Sequence, residues 1–446
     1  MGEKYKDMLY RKIQAYIEAY LTQGSDRVLV IDGARQVGKT FVVRHVASRL
    51  FPNYIEVNME EDALQARLFA DVRTKDDFYL ALSAVAGDKM GTKEDTLVFI
   101  DEVQRYSHML TLLKFLKEDD RYTYIASGSL LGVTLSITPS IPLGYVDIQP
   151  MYPLDFEEFL LANGINTTLI NHLRTCLRQR ETPAEALHNR VMDLFRKYLL
   201  AGGMPSAVNS FVADHNIAKV RSIQTQIYDL YKADASRYED AKGKLLIRRI
   251  YDMIPSNLEN KKKRVVAKNI EGVKGKRMNN YCDEFEYLIS SGTVLEVRAV
   301  SQPSYPLLQN SGKNLLKLYL NDVGILTALL YNNNIQPILN DVRNINLGAV
   351  YESVVAQELR AHGHTLYYYD NKKLGEVDFL IDDSRTLSVL PLEVKSGRDY
   401  KTHSAITHLL SVEQYNLHNA YVLSNARTIT TQGPITYIPV YLVMFL

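Results

Sequence analysis

Eight residues, Gly33-Ala34-Arg35-Gln36-Val37-Gly38-Lys39-Thr40, have the spacing GxxxxGK[ST] of a phosphate-binding loop. Glycines at both ends let consecutive backbone N–H groups turn toward phosphate oxygens, and a helix starting at the loop's end adds its positive dipole. Lys39 is long enough to reach the β- and γ-phosphates of ATP, and the Thr40 hydroxyl suits Mg²⁺. Further on, Thr96-Leu97-Val98-Phe99-Ile100-Asp101-Glu102 is an apolar run that ends in two acids. Strand ends of open α/β sheets line the ligand crevice, so Asp101 is expected to hold Mg²⁺ through water and Glu102 to polarise the attacking water. A third run, 122–126, leads into Ser127-Gly128-Ser129. A hydroxyl there, Ser129 in preference to Ser127, is placed to contact the γ-phosphate or the attacking water. The alternative is a serine that caps a turn.

A second group of ionisable residues lies near the C-terminus. Asp378 sits in Gly375-Glu376-Val377-Asp378-Phe379-Leu380-Ile381, and Leu392-Glu393-Val394-Lys395 follows fifteen residues later. Side chains alternate along a strand, so Glu376 and Asp378 share one face, and Glu393 and Lys395 share one. If the two strands pair through a turn at 383–386, Asp378 and Glu393 meet at one divalent cation, Mg²⁺ or Mn²⁺. Lys395 then stands where an ammonium orients a hydroxide and offsets charge on a scissile phosphate. Glu352, on a preceding helix, adds another acid. A half-exposed strand alternating charge with valine would read the same way locally.

Between these groups, residues 242–277 hold twelve lysines and arginines against three acids, in a chain whose 52 basic and 51 acidic residues nearly cancel as a whole. Lys261-Lys262-Lys263-Arg264 and Lys274-Gly275-Lys276-Arg277 flank helical patterns. Such charges suit DNA phosphates, bound without sequence readout and with steep salt dependence. A solvated loop and a protein-contact surface remain the competing readings. The ten histidines form no ligand set.

These residues need elements to position them. Short apolar runs at 28–31, 54–57, 97–100, 122–126 and 145–148 alternate with helical patterns, one of them placing Met109, Leu112, Leu113 and Leu116 on a single face. That alternation predicts a parallel sheet covered on both sides. From 154 to about 212 the pattern is helical, interrupted at Asn163-Gly164 and at Gly202-Gly203-Met204-Pro205. Helices at 245–257 and 278–290, followed by strands at 293–300 and 315–320, predict a winged helix. A helix at 347–362, strands at 365–369, 376–382 and 387–394, a helix at 403–413 and a strand at 420–423 complete a mixed α/β order. A 46% hydrophobic, 23% charged composition argues against extensive disorder. The two cysteines, Cys176 and Cys282, exclude a disulfide framework and a cysteine-rich zinc site. No apolar run reaches about 18 residues and the N-terminus lacks an apolar core, so a soluble, cytoplasmic protein without membrane partners is expected.

Taken together, GARQVGKT, FIDEVQR, ASGSLL, PLDFEEFL and YLLAGGMP resemble the AAA-superfamily ATPases of bacteria and archaea that carry an uncharacterised C-terminal domain. The resemblance implies a P-loop core with strand order 5-1-4-3-2 and a helical lid, and subunit contacts that make a homo-oligomer an open expectation. Relatives often show Gly-Arg before the last core strand, where this chain has Gly144-Tyr145, so an arginine acting on the γ-phosphate must come from elsewhere. The C-terminal pattern resembles the PD-(D/E)xK, restriction-endonuclease-like fold, with Glu352, Asp378, Glu393 and Lys395 on its four motif positions and no proline before Asp378. The expected organisation is an ATPase core (1–152), a helical lid (153–215), a basic winged-helix segment (216–335) and a nuclease-like α/β domain (336–446). The function expected is an ATP- and Mg²⁺-dependent ATPase acting on DNA. Its rival is a slow nucleotide switch that recruits a protein partner.

Overall fold

The computed structural model describes residues 9–129, 131–132, 144–234, 241–311, 315–340, 347–371, 373, 375–397, 401 and 403–446. The chain divides into two compact units, one of Tyr10–Tyr152 with Ser290–Gly292, the other mainly of Pro153–Ile289 and Thr293–Leu446.

In the first unit, β1 (Val28–Asp32), β2 (Asn53–Asn58), β3 (Thr96–Asp101), β4 (Thr123–Gly128) and β5 (Val146–Pro150) form one sheet in the order β2-β3-β4-β1-β5. All neighbours are parallel, and read from the other edge this is the order 5-1-4-3-2. Each apolar run became a strand because a parallel sheet buries both faces; every residue of β3 is buried. The helix Ser107–Asp119 lays Met109, Leu112, Leu113 and Leu116 into a core shared with Val30, Val98, Ile100, Phe78 and Tyr124. The helix Lys75–Ala86 begins with a reciprocal cap between Thr74 and Asp77, which satisfies two of its orphan amides.

The second unit opens with helices Phe156–Ala162, Thr167–Gln179, Glu185–Ala201, Pro205–Asp214, Ile217–Asp234 and Ala241–Glu259. The break between the third and fourth lies at Gly202-Gly203. Gly202 has φ +68°, and a Cβ there would stand 2.2 Å from an oxygen of Asp322, whose carboxylate accepts the Gly203 N–H at 2.5 Å. Only glycine meets both demands.

An eight-stranded sheet follows, with β6 (Val294–Val300), β7 (Leu316–Leu320), β8 (Tyr367–Asn371), β9 (Gly375–Asp383), β10 (Ser388–Lys395), β11 (Ala420–Ser424), β12 (Thr430–Gln432) and β13 (Ile435–Pro439) in the order β12-β13-β11-β10-β9-β8-β6-β7. This corrects the winged-helix expectation. The β6–β7 hairpin is no detached wing, because β6 pairs in parallel with β8 through Arg298, Ala299 and Val300 and so extends the C-terminal sheet. Its apolar positions, Val297, Ala299 and Leu318 among them, are buried, which a solvent-facing wing would not require. The short piece after the basic cluster is a one-turn helix, Ala267–Glu271, and the segment before Cys282–Ser290 is a 3₁₀ turn, Met278–Tyr281. Strands β12 and β13 were not anticipated. Against the sheet lies the helix Gly348–Ala361, on which every residue from Ala349 to Leu359 is buried. Among the described residues no helix is long and apolar enough to cross a membrane.

Candidate phosphate site and carboxylate cluster

The phosphate loop connects β1 to the helix Lys39–Leu50, with Gln36 at φ +68° and Gly38 at φ +98°. These left-handed turns bring the loop's amides around one point. Gly33 is pressed against the end of β5, where an added Cβ would meet the Met151 carbonyl at 2.2 Å. Lys39 is almost wholly buried, and its Nζ donates to the carbonyls of Gly33 (2.8 Å) and Ala34 (3.0 Å). Burial pulls this ammonium down, against the raising influence of Glu102, Asp101 and Asp32.

The ends of β3 and β4 meet the loop. Thr40 Oγ1 donates to Asp101 Oδ2 at 2.8 Å, Asn58 Nδ2 reaches the same oxygen at 3.4 Å, and the Ser127 hydroxyl donates to Asp101 Oδ1. Burial raises Asp101, and the Ser127 and Thr40 hydroxyls partly offset it. Glu102 follows the strand at φ +54°, a conformation rare for a residue with a side chain and frequent at working sites. Its Oε2 accepts from Ser129 Oγ at 2.7 Å and Gln104 Nε2 at 2.5 Å. Burial pushes Glu102 up, but Lys39, Ser129 and Gln104 outweigh it and hold the carboxyl below its ordinary value, as an anion at neutral pH. Ser129, the preferred serine, thus joins Glu102, whereas Ser127 belongs to Asp101. Arg35 Nε lies 3.5 Å from Ser129 Oγ. A hydroxyl beside a carboxylate is a hard-oxygen pair of the kind a magnesium-like cation takes, so Thr40 and Asp101 fit a divalent metal.

Three participants escaped sequence reading. Asp32, at the end of β1, is pushed up to about 6 by burial, countered by Lys39. Gln104 bridges Glu102 and Ser129, the latter at 3.1 Å. Arg11 donates to the carbonyls of Val37 (2.8 Å) and Tyr152 (2.6 Å), clamping the loop to the segment after β5. Asp32 was readable as an acid ending an apolar strand; Arg11 carries no sequence signal.

In the second unit, β9 and β10 are antiparallel, with Phe379 opposite Leu392. One step beyond that pair, Asp378 and Glu393 stand opposite each other, and Asp378 Oδ2 accepts the Val394 N–H at 2.8 Å. Lys395 Nζ donates to Glu393 Oε1 at 2.8 Å. Glu393 is 6% exposed, and its Oε2 is buried without a hydrogen-bond partner among the described residues. Glu352, 3% exposed, accepts from Tyr319 OH at 3.1 Å and from Lys263. Asp378 is driven well above the carboxylate range, first by burial and then by Glu352 and Glu393.

Two lysines that the sequence reading did not assign to this cluster complete the set. Lys317 is fully buried, donates to Glu376 Oε1 at 2.5 Å and lies 4.6 Å from the Tyr368 ring centre. A signal existed, since Lys317 and Tyr319 alternate with leucines on β7. Lys263 comes from the basic cluster itself, and its neighbour Arg264 pairs with Asp370 at 2.9 Å. Half of the first basic cluster is therefore turned inward, leaving Lys261 and Lys262 exposed. Among the described residues no group of three or more histidines, cysteines or acids is gathered tightly enough to hold a metal ion. The orphaned Glu393 oxygen beside Asp378 nevertheless suits a divalent cation held by two carboxylates.

Residues 25–160 match the family described as AAA domain. Residues 192–336 and 347–443 match two domains of unknown function, DUF8612 and DUF4143. Among solved structures, the Walker-type ATPase PABY2304 of Pyrococcus abyssi is 14% identical with a TM-score of 0.44, over 73% of this chain and 97% of its own. The RuvB Holliday junction branch migration motor of Thermotoga maritima is 15% identical with a TM-score of 0.27, over 64% and 86%. PCH-2 of C. elegans is 11% identical with a TM-score of 0.28, over 63% and 67%. No curated protein sequence matches the chain. The AAA-domain match and the loop geometry support an ATP-binding P-loop ATPase of AAA type, with a divalent metal as companion to the nucleotide.

Proposed function

We propose that the chain is an ATP·Mg²⁺-dependent AAA-type ATPase whose cycle governs a nuclease-like C-terminal domain acting on DNA. One observation carries the hydrolytic half: the Glu102 carboxylate accepts from Ser129 and Gln104, directly after the Asp101 that accepts from Thr40. In this reading the loop amides and Lys39 bind the phosphates, and Thr40 and Asp101 hold the metal. Glu102 takes a proton from the attacking water, with Ser129 fixing the carboxylate's direction. The metal, when bound, offsets charge on the β- and γ-phosphates.

For the second half, Asp378 and Glu393 would hold Mg²⁺ or Mn²⁺ and Lys395 would orient the nucleophile, while the exposed Lys261, Lys262, Lys274 and Arg277 would meet DNA phosphates. The test is metal-dependent nicking or cleavage of DNA by the full chain. Asp378→Ala and Lys395→Ala should lose it; substrate left intact under varied metals, DNA forms and nucleotides would refute the nuclease half.

A second reading is a slow nucleotide switch that recruits a protein partner, with the C-terminal fold as a non-cleaving module. Tyr145 in place of an arginine favours it, as do the lysines already paired with Glu352, Glu376 and Glu393. DNA binding measured against salt, with and without ATP, separates the two. Assembly into a homo-oligomer belongs to either reading.

A further inference from the structure

We propose that Lys263 is a tethered cation that occupies the carboxylate cluster of the second unit and excludes a divalent metal until residues 261–264 are drawn away. The inference rests on the reading of Asp378 and Glu393 as metal ligands.

Four observations carry it. First, Lys263 Nζ bonds Glu352 in a nearly buried pair, the lysine side chain 16% and the glutamate 4% exposed. Second, Lys263 has φ +49°, a left-handed backbone that is sterically disfavoured for a residue bearing a Cβ. Lys261 and Lys262, pointing into solvent, show no positive φ among the described residues. The unfavourable turn therefore goes with sending one lysine of three inward. Third, Arg264 fastens the same segment to Asp370 on β8. Fourth, the cluster is underfilled: among the described residues Glu393 Oε2 is buried and unpartnered, and Asp378 accepts from the Val394 amide. Three ammoniums, Lys263, Lys317 and Lys395, face four acids, Glu352, Glu376, Asp378 and Glu393, and leave them incompletely compensated; a dication would answer them better. An ammonium on Glu352 and a dication on Asp378 and Glu393 repel each other at close quarters. Metal entry thus requires Lys263 to leave. A nucleic-acid backbone, the polyanion that the exposed Lys261 and Lys262 suit, would draw the segment outward and by linkage tighten metal binding.

The experiment uses the full chain without nucleotide. Mn²⁺ is titrated by calorimetry and electron paramagnetic resonance into the native protein, Lys263→Gly and Lys263→Asn. Glycine and asparagine both accept the left-handed backbone, and thermal melting checks that each variant is folded. Mn²⁺ should bind at least tenfold more tightly to both variants than to the native chain, and adding Asp378→Asn should abolish that gain. Equal affinity in native and variant proteins overturns the gate but leaves the metal reading standing. Absence of Mn²⁺ binding in all of them overturns both and leaves the ATPase reading untouched.

Discussion

The phosphate site and the carboxylate cluster hold similar cargoes of buried charge and balance them differently. Around Lys39, acids and cation are compensated by backbone carbonyls and by hydroxyls and amides a few residues from the strand ends: Thr40, Ser127, Ser129 and Gln104. Around Asp378, compensation comes from lysines on separate elements, namely Lys263, Lys317 and Lys395. Neutral donors cost little to bury when satisfied, whereas a buried ion pair depends on both partners staying in place. The first site is therefore built locally and held stiffly. The second is a balance that one displaced lysine upsets.

The largest effects should fall on the phosphate side and stay there. Lys39→Ala should lower ATP hydrolysis by about 10²–10³-fold or more and leave metal binding at the C-terminal cluster unchanged. An enzyme hydrolysing at the parental rate in a coupled phosphate-release assay would refute the P-loop assignment. Next, Glu102→Gln should lower kcat by about 10²–10⁴-fold while ATP affinity stays within about threefold, because the proton-accepting carboxylate goes and the phosphate cradle remains. A matching loss of affinity would make Glu102 a binding residue.

On the basic segment, the contrast between inward and outward lysines can be sharpened. Replacing Lys261 and Lys262 together by alanine should weaken DNA binding about tenfold and make the slope of log K against log salt shallower by about two. An unchanged slope would assign the cluster to a solvated loop. A smaller effect tests the clamp across the loop. Arg11→Ala removes donors from Val37 and Tyr152, and ATP should bind about three- to tenfold more weakly by calorimetry. Unaltered affinity would show that the loop holds its shape without the clamp.

Legibility followed the same division. The phosphate loop is contiguous, so its residue types and spacing pointed to Lys39 and Thr40, while uninterrupted apolar runs marked the five strands and the polar residues at two of their ends pointed to Asp101, Glu102 and Ser129. Arg11 escaped because it acts through a guanidinium on backbone carbonyls, one of them far along the chain, and such bonds leave no trace in residue spacing. In the second unit, period-two alternation brought Asp378, Glu393 and Lys395 to one place. What it could not give was strand partnership. The β6–β7 hairpin reads alone as a wing because nothing local encodes its pairing with β8, and without that pairing Lys317 and Tyr319 have no reason to face Glu376 and Glu352. Nor could a run of four basic residues show that its third member turns inward.

The final measurement addresses the balance itself. Asp378 carries a carboxyl raised by burial and by the neighbouring Glu352 and Glu393, so the folded chain binds its proton more readily than the unfolded chain, where the ordinary value is about 3.9. Between those two values the native state holds more protons, and stability falls as pH rises. Above the folded value the penalty of an ionised Asp378 is complete. Asp378→Asn removes the ionisation and keeps an oxygen to accept the Val394 amide. Its thermal midpoint should exceed that of the native chain by a few degrees wherever Asp378 is ionised in the fold, and the gap should close as pH is lowered through the raised value. Melting curves from acid to alkaline pH in metal-free buffer decide it. A gap that is reversed, or that does not change with pH, would mean that Lys317, Lys263 and Lys395 already neutralise the cluster, and the two sites would then differ in where their compensation comes from but not in how complete it is.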